Sequence, residues 1–497
     1  MNSDYEKYRS RLRKIADVSN AANVLNWDQE IYMPVKGAEL RAQQLSTLSG
    51  IIHDMAVDEE LGALLEALNK DTSLSEKEAR NIQESLRGYE DQKKYTTAFV
   101  VEMSKTISEC YQAWNKARTE NNYAVYQPFL EKLVELKRQE CKLLGFDKHP
   151  YDALLNQYEP KAKTADLEIL FEDVKSNLVP FVKEITNRQQ HEQQFLYKHY
   201  DKQQQWGFGI SLLKQMNYDF EAGRQDISAH PFSTSFSAQD VRVTTRISEN
   251  DLREMVWSCI HEGGHALYEQ GLPVEDYGLP TGEAISLGIH ESQSRLWENN
   301  VGRALPYWKA NYSNLQKTFP EQLGTIPLDA FYKAINIVEP SLIRTSADEL
   351  TYHFHVLIRF EIEKALIEGS IEVKDLPEIW NKKYKDYLGV DVSSDAKGVL
   401  QDIHWSHGSF GYFPTYSLGS FYAAQFYNKA SEEIPDLETE IEKGNLKPLL
   451  VWLREKIHKH GKFYTAESLC IHVTGEKLNF KYFMEYAGKK YKALYDL

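Results

Sequence analysis

The stretch IHEGGHALYEQG, Ile260 to Gly271, sets two glycines inside what its flanks read as a helix. Glycine costs roughly 1 kcal/mol per residue against alanine in a helix interior, so Gly263 and Gly264 either end the helix or serve a close contact. The flanks favour continuation. Ser248 followed by Asp251 resembles a capping box with Asp in place of Glu. Leu252, Met255, Val256, Cys259 and Ile260 follow at helical spacing, Leu267 resumes the stripe, and Gly271 and Pro273 supply the stop. The spacing predicts an unbroken helix from about Glu249 to Gln270. Lacking side chains, the glycines let another backbone approach. The strand at Asp240 to Ser248, or the loop at Gly408 to Tyr416, is the expected neighbour.

That helix carries chemistry. His261 and His265 fall one turn apart on one face, where both imidazoles can reach a single Zn2+. By chance H-E-x-x-H should occur on the order of 0.03 times in a chain of this length, so the match stands above noise. A catalytic zinc keeps three protein ligands and one open position. No third histidine follows in the H-x-x-G-x-x-H spacing, so a carboxylate on a second helix is expected. EAISLGIHESQSRLWENNVGR, Glu283 to Arg303, reads as that helix. Glu291 is the choice, in mid-helix among His290, Ser292 and Gln293. Glu283 is explained by the macrodipole at a helix start, and Glu298 by a solvated face. Glu262, one helix step from the ligands, is placed to take a proton from a water and pass it to a leaving amine. The reaction class is amide hydrolysis.

Most of the remaining sequence, such as LRAQQLSTLSGIIHDM and LEKLVELKRQECKLLGF, repeats apolar residues every three or four positions. Strong alternation is rare and clearest in DVRVTTRIS, Asp240 to Ser248, with Val241, Val243, Thr245 and Ile247 on one face and Arg242, Thr244 and Arg246 on the other. SAHPFSTSFS just before it is a candidate partner strand. The expected fold is therefore mainly α-helical with a small sheet beside the zinc helix. With only 16 Pro and 26 Gly in 497 residues, and no repeat or Gly/Ser linker, composition leaves one domain and two lobes both open.

A net charge of −15 argues against nucleic acid or an anionic membrane as main partner. Cys110, Cys141, Cys259 and Cys470 show no C-x-x-C spacing and suit free thiols in a reducing compartment. With no apolar run of about 18 residues and a charged N-terminus lacking a signal-peptide core, the expected location is cytoplasmic.

GVLQDIHWSHGSFGYFPTYSLG, Gly398 to Gly419, is dense in His, Tyr and Gly. Tyr412, Tyr416, His404 and His407 are candidates to stabilise the tetrahedral oxyanion, against the plain reading of a packed aromatic loop. In IRTSADELTYHFHVL, Arg344 and Asp348 stand one helical turn apart. They form either a structural ion pair or a site where Arg344 grips a substrate carboxylate. Arg242 and Arg246 are the alternatives, and their strand could pair with the substrate backbone. The histidines of YHFHV and HKHGKF lack a coherent ligand set and read as structural.

Taken in order, HPF (His230 to Phe232), DVRVT (Asp240 to Thr244), HEGGH, HESQ (His290 to Gln293), IRTSAD (Ile343 to Asp348) and GVLQDIHW (Gly398 to Trp405) resemble the motifs of the carboxypeptidase Taq metallocarboxypeptidases across essentially the whole chain. The resemblance implies a large elongated helical fold with a deep groove, similar to neurolysin and angiotensin-converting enzyme. It implies a single domain over 1–497: helices over 1–200 covering the groove, a catalytic part at 201–430, and C-terminal helices at 431–497. It implies release of single C-terminal residues from peptides with broad specificity, one Zn2+ per subunit with Co2+ or Mn2+ able to replace it, and a homodimer. Carried onto its motifs, His261, His265 and Glu291 hold the metal, and Glu262 is the base. Arg344 meets the free carboxylate, His230, Arg242, Asp402 and His404 contribute to substrate binding, and Tyr416 is preferred over Tyr412 and His407 for the oxyanion.

Overall fold

Runs with apolar residues at three- and four-residue spacing become helices throughout the computed structural model, which describes residues 3–188 and 190–497. The result is a mainly α-helical protein with one three-stranded sheet. The chain divides into two compact units. The first comprises Met1–Lys93, Glu192–Ile335 and Tyr422–Leu478; the second comprises Lys94–His191, Asn336–Phe421 and Asn479–Leu497. Among the described residues no helix is long and apolar enough to cross a membrane. All four cysteines are free and buried.

In the first unit the helix Ser3–Ile31 sends Tyr5 and Tyr8 into a cluster with Leu61, Leu65, Leu68, Ile82, Tyr89 and Leu279. The sheet follows, in the order β1 (Gly223–Ile227), β3 (Asp240–Thr245), β2 (Ser233–Ser237). β1 runs parallel to β3, with Gly223 opposite Val241, and β2 runs antiparallel, with Ser233 opposite Val243. SAHPFSTSFS thus supplies the expected partner. β3 is the central strand, and both its edges are already hydrogen-bonded. It cannot accept a substrate backbone, because the open edges belong to β1 and β2. The expected alternation also breaks at Thr244, which is buried because its hydroxyl bonds Ser228 Oγ at 2.6 Å and accepts from Phe232 N.

The zinc-signature helix spans Leu252–Glu269 and passes through both glycines. It begins three residues later than the periodicity predicts. Asp251, not Ser248, is the N-cap and accepts from Arg253 N at 3.0 Å, while Ser248 forms an isolated bridge to Asp251. Removing a cap typically costs about 0.5–2 kcal/mol. Asp251→Ala should lower stability by about that much, read as an earlier urea midpoint at unchanged slope.

The neighbours of the glycines differ from expectation. A Cβ on Gly264 would stand 2.7 Å from Ser294 Cα and 2.8 Å from Gln293 O, and one on Gly263 would meet Leu213 Cδ2 at 2.8 Å and Met216 Cε at 3.0 Å. The close partners are therefore the helix Leu287–Arg295 and side chains at the end of the helix Lys202–Gln215. Neither β3 nor the Gly408–Tyr416 loop fills these spots.

In the second unit the helix Tyr352–Glu368 is buried along most of its length. Arg344 lies before it, in a short 3-10 turn Arg344–Ser346, so Arg344 and Asp348 are not one turn apart on a helix. Asp348 instead orders the turn before the helix, accepting from Leu350 N, Thr351 N and the Thr351 hydroxyl.

Candidate metal centre and associated residues

Two helices of the first unit build the centre. Leu252–Glu269 presents His261 and His265 from successive turns, their ring centroids 4.9 Å apart. Leu287–Arg295 starts at the Ser286 cap, whose hydroxyl accepts from Ile289 N, and presents Glu291. Glu291 Oε2 lies 3.7 Å from His261 Nε2 and 3.4 Å from His265 Nε2. Gly264 permits this, since the second helix lies with its backbone against the bare Cα.

The donor set fits a divalent zinc-like ion. Two imidazole nitrogens and one carboxylate oxygen converge within 4.8 Å of one another. Bonds of about 2.0–2.2 Å to a tetrahedral centre put ligands roughly 3.3–3.6 Å apart. Both Nδ1 atoms are engaged elsewhere, which leaves the Nε2 atoms to converge. His261 Nδ1 bonds Glu298 Oε2 at 2.9 Å, and His265 Nδ1 bonds His290 Nδ1 at 2.6 Å. Burial lowers the His265 imidazole to about 4, keeping it in the neutral form that ligates. Burial would raise Glu291, but Arg295, with Nε donating to Oε1 at 2.7 Å, and the histidines hold it well below the usual carboxylate range.

Glu298 is not on a solvated face. It is 6 % exposed and accepts from Arg295 Nη1 and Arg303 Nη2, both at 3.1 Å, besides holding His261. The helix widens into π-type turns over Leu296–Gly302, and such turns often mark functional sites. Glu283 lies outside the helix, exposed and paired with Lys462.

Glu262 is 7 % exposed, beside the converging donors on the same helix. Burial pushes its carboxyl up to about 7, moderated by His261 and a hydrogen bond with Ser233 of β2.

A sequence model of the carboxypeptidase Taq (M32) metallopeptidases matches residues 7–491. The chain belongs to this family. Carboxypeptidase 1 of Bacillus subtilis is 38% identical over 496 residues, covering 99% of each chain. The solved structure of CHT is 57% identical with a TM-score of 0.97, over 98% of this chain and 99% of that one. An M32 carboxypeptidase from Deinococcus radiodurans is 36% identical with a TM-score of 0.98, over all of both chains. This M32 chain is therefore a metallocarboxypeptidase, a hydrolase of peptide bonds, with the mainly helical architecture of its relatives.

The remaining M32 motif residues fall into two groups. In the first unit His230 is exposed between β1 and β2, and Arg242 is fully engaged. Its Nε and Nη2 each reach Asp240 at 2.8 Å, and its guanidinium stacks on Trp27 at 4.4 Å and Phe236 at 4.9 Å. Arg246 lies past β3 and pairs with Glu254 at 3.3 Å.

In the second unit Arg344 is 6 % exposed; its Nε reaches Asp402 Oδ1 at 3.0 Å and its Nη1 donates to Tyr352 Oη at 3.0 Å. Its ion-pair partner is Asp402, not Asp348. Arg359 holds the other oxygen of Asp402, with Nε at 2.6 Å. Burial opposes ionisation of Asp402, but the two guanidinium groups hold its pKa well below the usual range. The guanidinium of Arg344 faces the Tyr416 ring at 5.0 Å, and Tyr416 Oη bonds His404 Nε2 at 3.2 Å. Burial lowers His404 to about 3, so it is neutral. Tyr412 stacks edge-on against Tyr416 and Tyr158, both at 5.2 Å. His407 is exposed, with its ring 5.0 Å from Tyr111.

The histidines of YHFHV are structural, as expected: His353 and His355 are buried against Ser417 and Tyr384. His458 of HKHGKF is buried and bonds Gln293 Oε1 at 2.9 Å. Missed in the sequence were Glu269, Arg295 and Arg303, and Glu298 was misread as solvated. A signal existed for most of them. Glu291, Arg295 and Glu298 stand at i, i+4 and i+7, and His261, His265 and Glu269 at i, i+4 and i+8, so each set shares a helix face.

Proposed function

We propose that this metallocarboxypeptidase uses one zinc ion per subunit, held by His261, His265 and Glu291, to release single C-terminal residues from peptides with broad specificity. The observation that carries this reading is the convergence of two imidazole Nε2 atoms and one carboxylate oxygen beside the buried Glu262. A zinc ion bound there would polarise the scissile carbonyl and acidify a water. Glu262 takes the proton from the attacking water and returns it to the leaving amine. Ser233 hydrogen-bonds its carboxylate and limits its rotation. Co2+ or Mn2+ can occupy such a donor set.

Arg344 is the proposed partner of the substrate's free carboxylate. Asp402 is shared by two guanidinium groups, so its single charge does not neutralise both. Arg359 is wholly buried and fills the structural half of the pair. Tyr416, tied to the neutral His404, is the proposed donor to the oxyanion, with Tyr412 packed beside it. The role of His230 rests on the family resemblance, and those of Arg242 and His407 on their place in the DVRVT strand and the His/Tyr-rich loop. The homodimer and the single domain divided at 200 and 430 rest on that resemblance too, and the cytoplasmic location on the free thiols and the absence of an apolar run in the sequence.

Mass spectrometry of products from an unblocked peptide tests the reading. We expect a ladder shortened one residue at a time from the C-terminus, abolished by a chelator and restored by zinc. A C-terminally amidated peptide should be cut at least about tenfold more slowly, because a charge-assisted hydrogen bond is worth about 1.5–3 kcal/mol. Equal rates on both peptides would instead mark an endopeptidase with no fixed cation for the terminus.

A further inference from the structure

We propose that His290, backed by Glu269, is a positioning residue that sets the tautomer of His265 and so presents its Nε2 to the metal; this rests on the metal centre proposed above. His265 and Glu269 stand one turn apart on the helix Leu252–Glu269, and His290 reaches across from the helix that also carries Glu291. Its Nδ1 lies 2.6 Å from His265 Nδ1, and its Nε2 lies 2.9 Å from Glu269 Oε1. The ring is further held 5.3 Å from that of Tyr268. Glu269 also accepts a hydrogen bond from Ser235 of β2, which fixes the far end of the chain of contacts.

The hydrogen inventory of this chain follows from its geometry once His265 ligates through Nε2. An ionised Glu269 only accepts, so His290 Nε2 carries a hydrogen. A His290 ring bearing that single hydrogen has a bare Nδ1, which accepts. The facing His265 Nδ1 must therefore be the N–H, which leaves the lone pair on His265 Nε2, the atom 3.4 Å from Glu291 Oε2. His261 receives the same instruction directly from Glu298. The two ligands are thus set by different devices: a carboxylate in contact, and a carboxylate relayed through an imidazole. One helix supplies both the carboxylate ligand and, one residue earlier, the orienting group for a ligand on the other helix.

The test compares the parent with His290→Leu, His290→Asn and Glu269→Leu. Three quantities are read: zinc affinity in competition with a chromophoric chelator, the visible spectrum of the cobalt-substituted protein, and the urea unfolding of the metal-free protein. Groups that orient a ligand typically change metal affinity by about 10–100-fold. His290→Leu should weaken zinc by that factor and shift the cobalt bands. His290→Asn, whose amide oxygen can stand in for Nδ1, should stay within about threefold of the parent, a rescue that side-chain volume alone would not produce. A folded His290→Leu with parental zinc affinity and an unchanged cobalt spectrum overturns the assignment. If that variant does not fold, parental affinity in Glu269→Leu overturns it equally. A parent that binds no zinc, or a His265→Ala that binds it unchanged, refutes the metal centre itself, and the relay falls with it.

Discussion

Glu262→Gln is expected to lower kcat by about 10²–10⁴-fold, the usual contribution of a positioned general base, while the protein keeps the zinc content of the parent. The amide fills the carboxyl's volume, and its oxygen can still accept from Ser233, the partner of the native carboxylate. What the substitution removes is an acceptor for the proton of the attacking water. Metal content by elemental analysis and kcat on an unblocked peptide separate the two roles open to this residue. Activity lost with zinc retained identifies the base. Zinc lost in proportion to activity would move Glu262 into the metal-holding set, and undiminished turnover would remove it from the mechanism.

What could be read from the sequence followed one physical rule: features set by local periodicity were legible, and features set by tertiary approach were not. The helix through Gly263 and Gly264 was legible because its apolar stripe resumes at Leu267. Glu291 was legible because a mid-helix carboxylate among small polar residues is poorly explained by capping. The sheet partner of β3 was legible from Ser/Phe alternation, but strand order was not. Which edge stays open depends on β1, whose sequence GRQDI carries little alternation of its own.

Glu298 read as solvated because charge alone, without Arg295 and Arg303 around it, looks like a surface residue; its burial follows from how the widened turns Leu296–Gly302 lie against His261. The pairing of Arg344 with Asp348 failed for a backbone reason. The segment forms a short turn in which Asp348 accepts from Leu350 N and Thr351 N, and the true partner, Asp402, is 58 residues away.

Gly264→Ala should be far more damaging than Gly263→Ala, although both add one methyl group to the same helix. In isolation each change favours the helix by roughly 1 kcal/mol. At Gly263 the new Cβ meets Leu213 Cδ2 and the Met216 thioether, free ends of flexible side chains that can turn aside. Its net effect on stability should lie near zero. At Gly264 the new Cβ meets Ser294 Cα at 2.7 Å and Gln293 O at 2.8 Å, and backbone cannot turn aside. Gln293 is fully buried and bonded to His458, so the helix Leu287–Arg295 is tied through that side chain as well. Overpacking of this kind costs typically about 1–3 kcal/mol. The relief available is to slide that helix outward, and with it His290, Glu291 and Arg295. A displacement of about 1 Å at a catalytic group can cost about 10²-fold in rate, so kcat/KM and zinc affinity should both fall by that order in Gly264→Ala, while Gly263→Ala stays within about threefold of the parent. Equal effects in the two variants would show that the close approach of the two helices does not hold Glu291 in place.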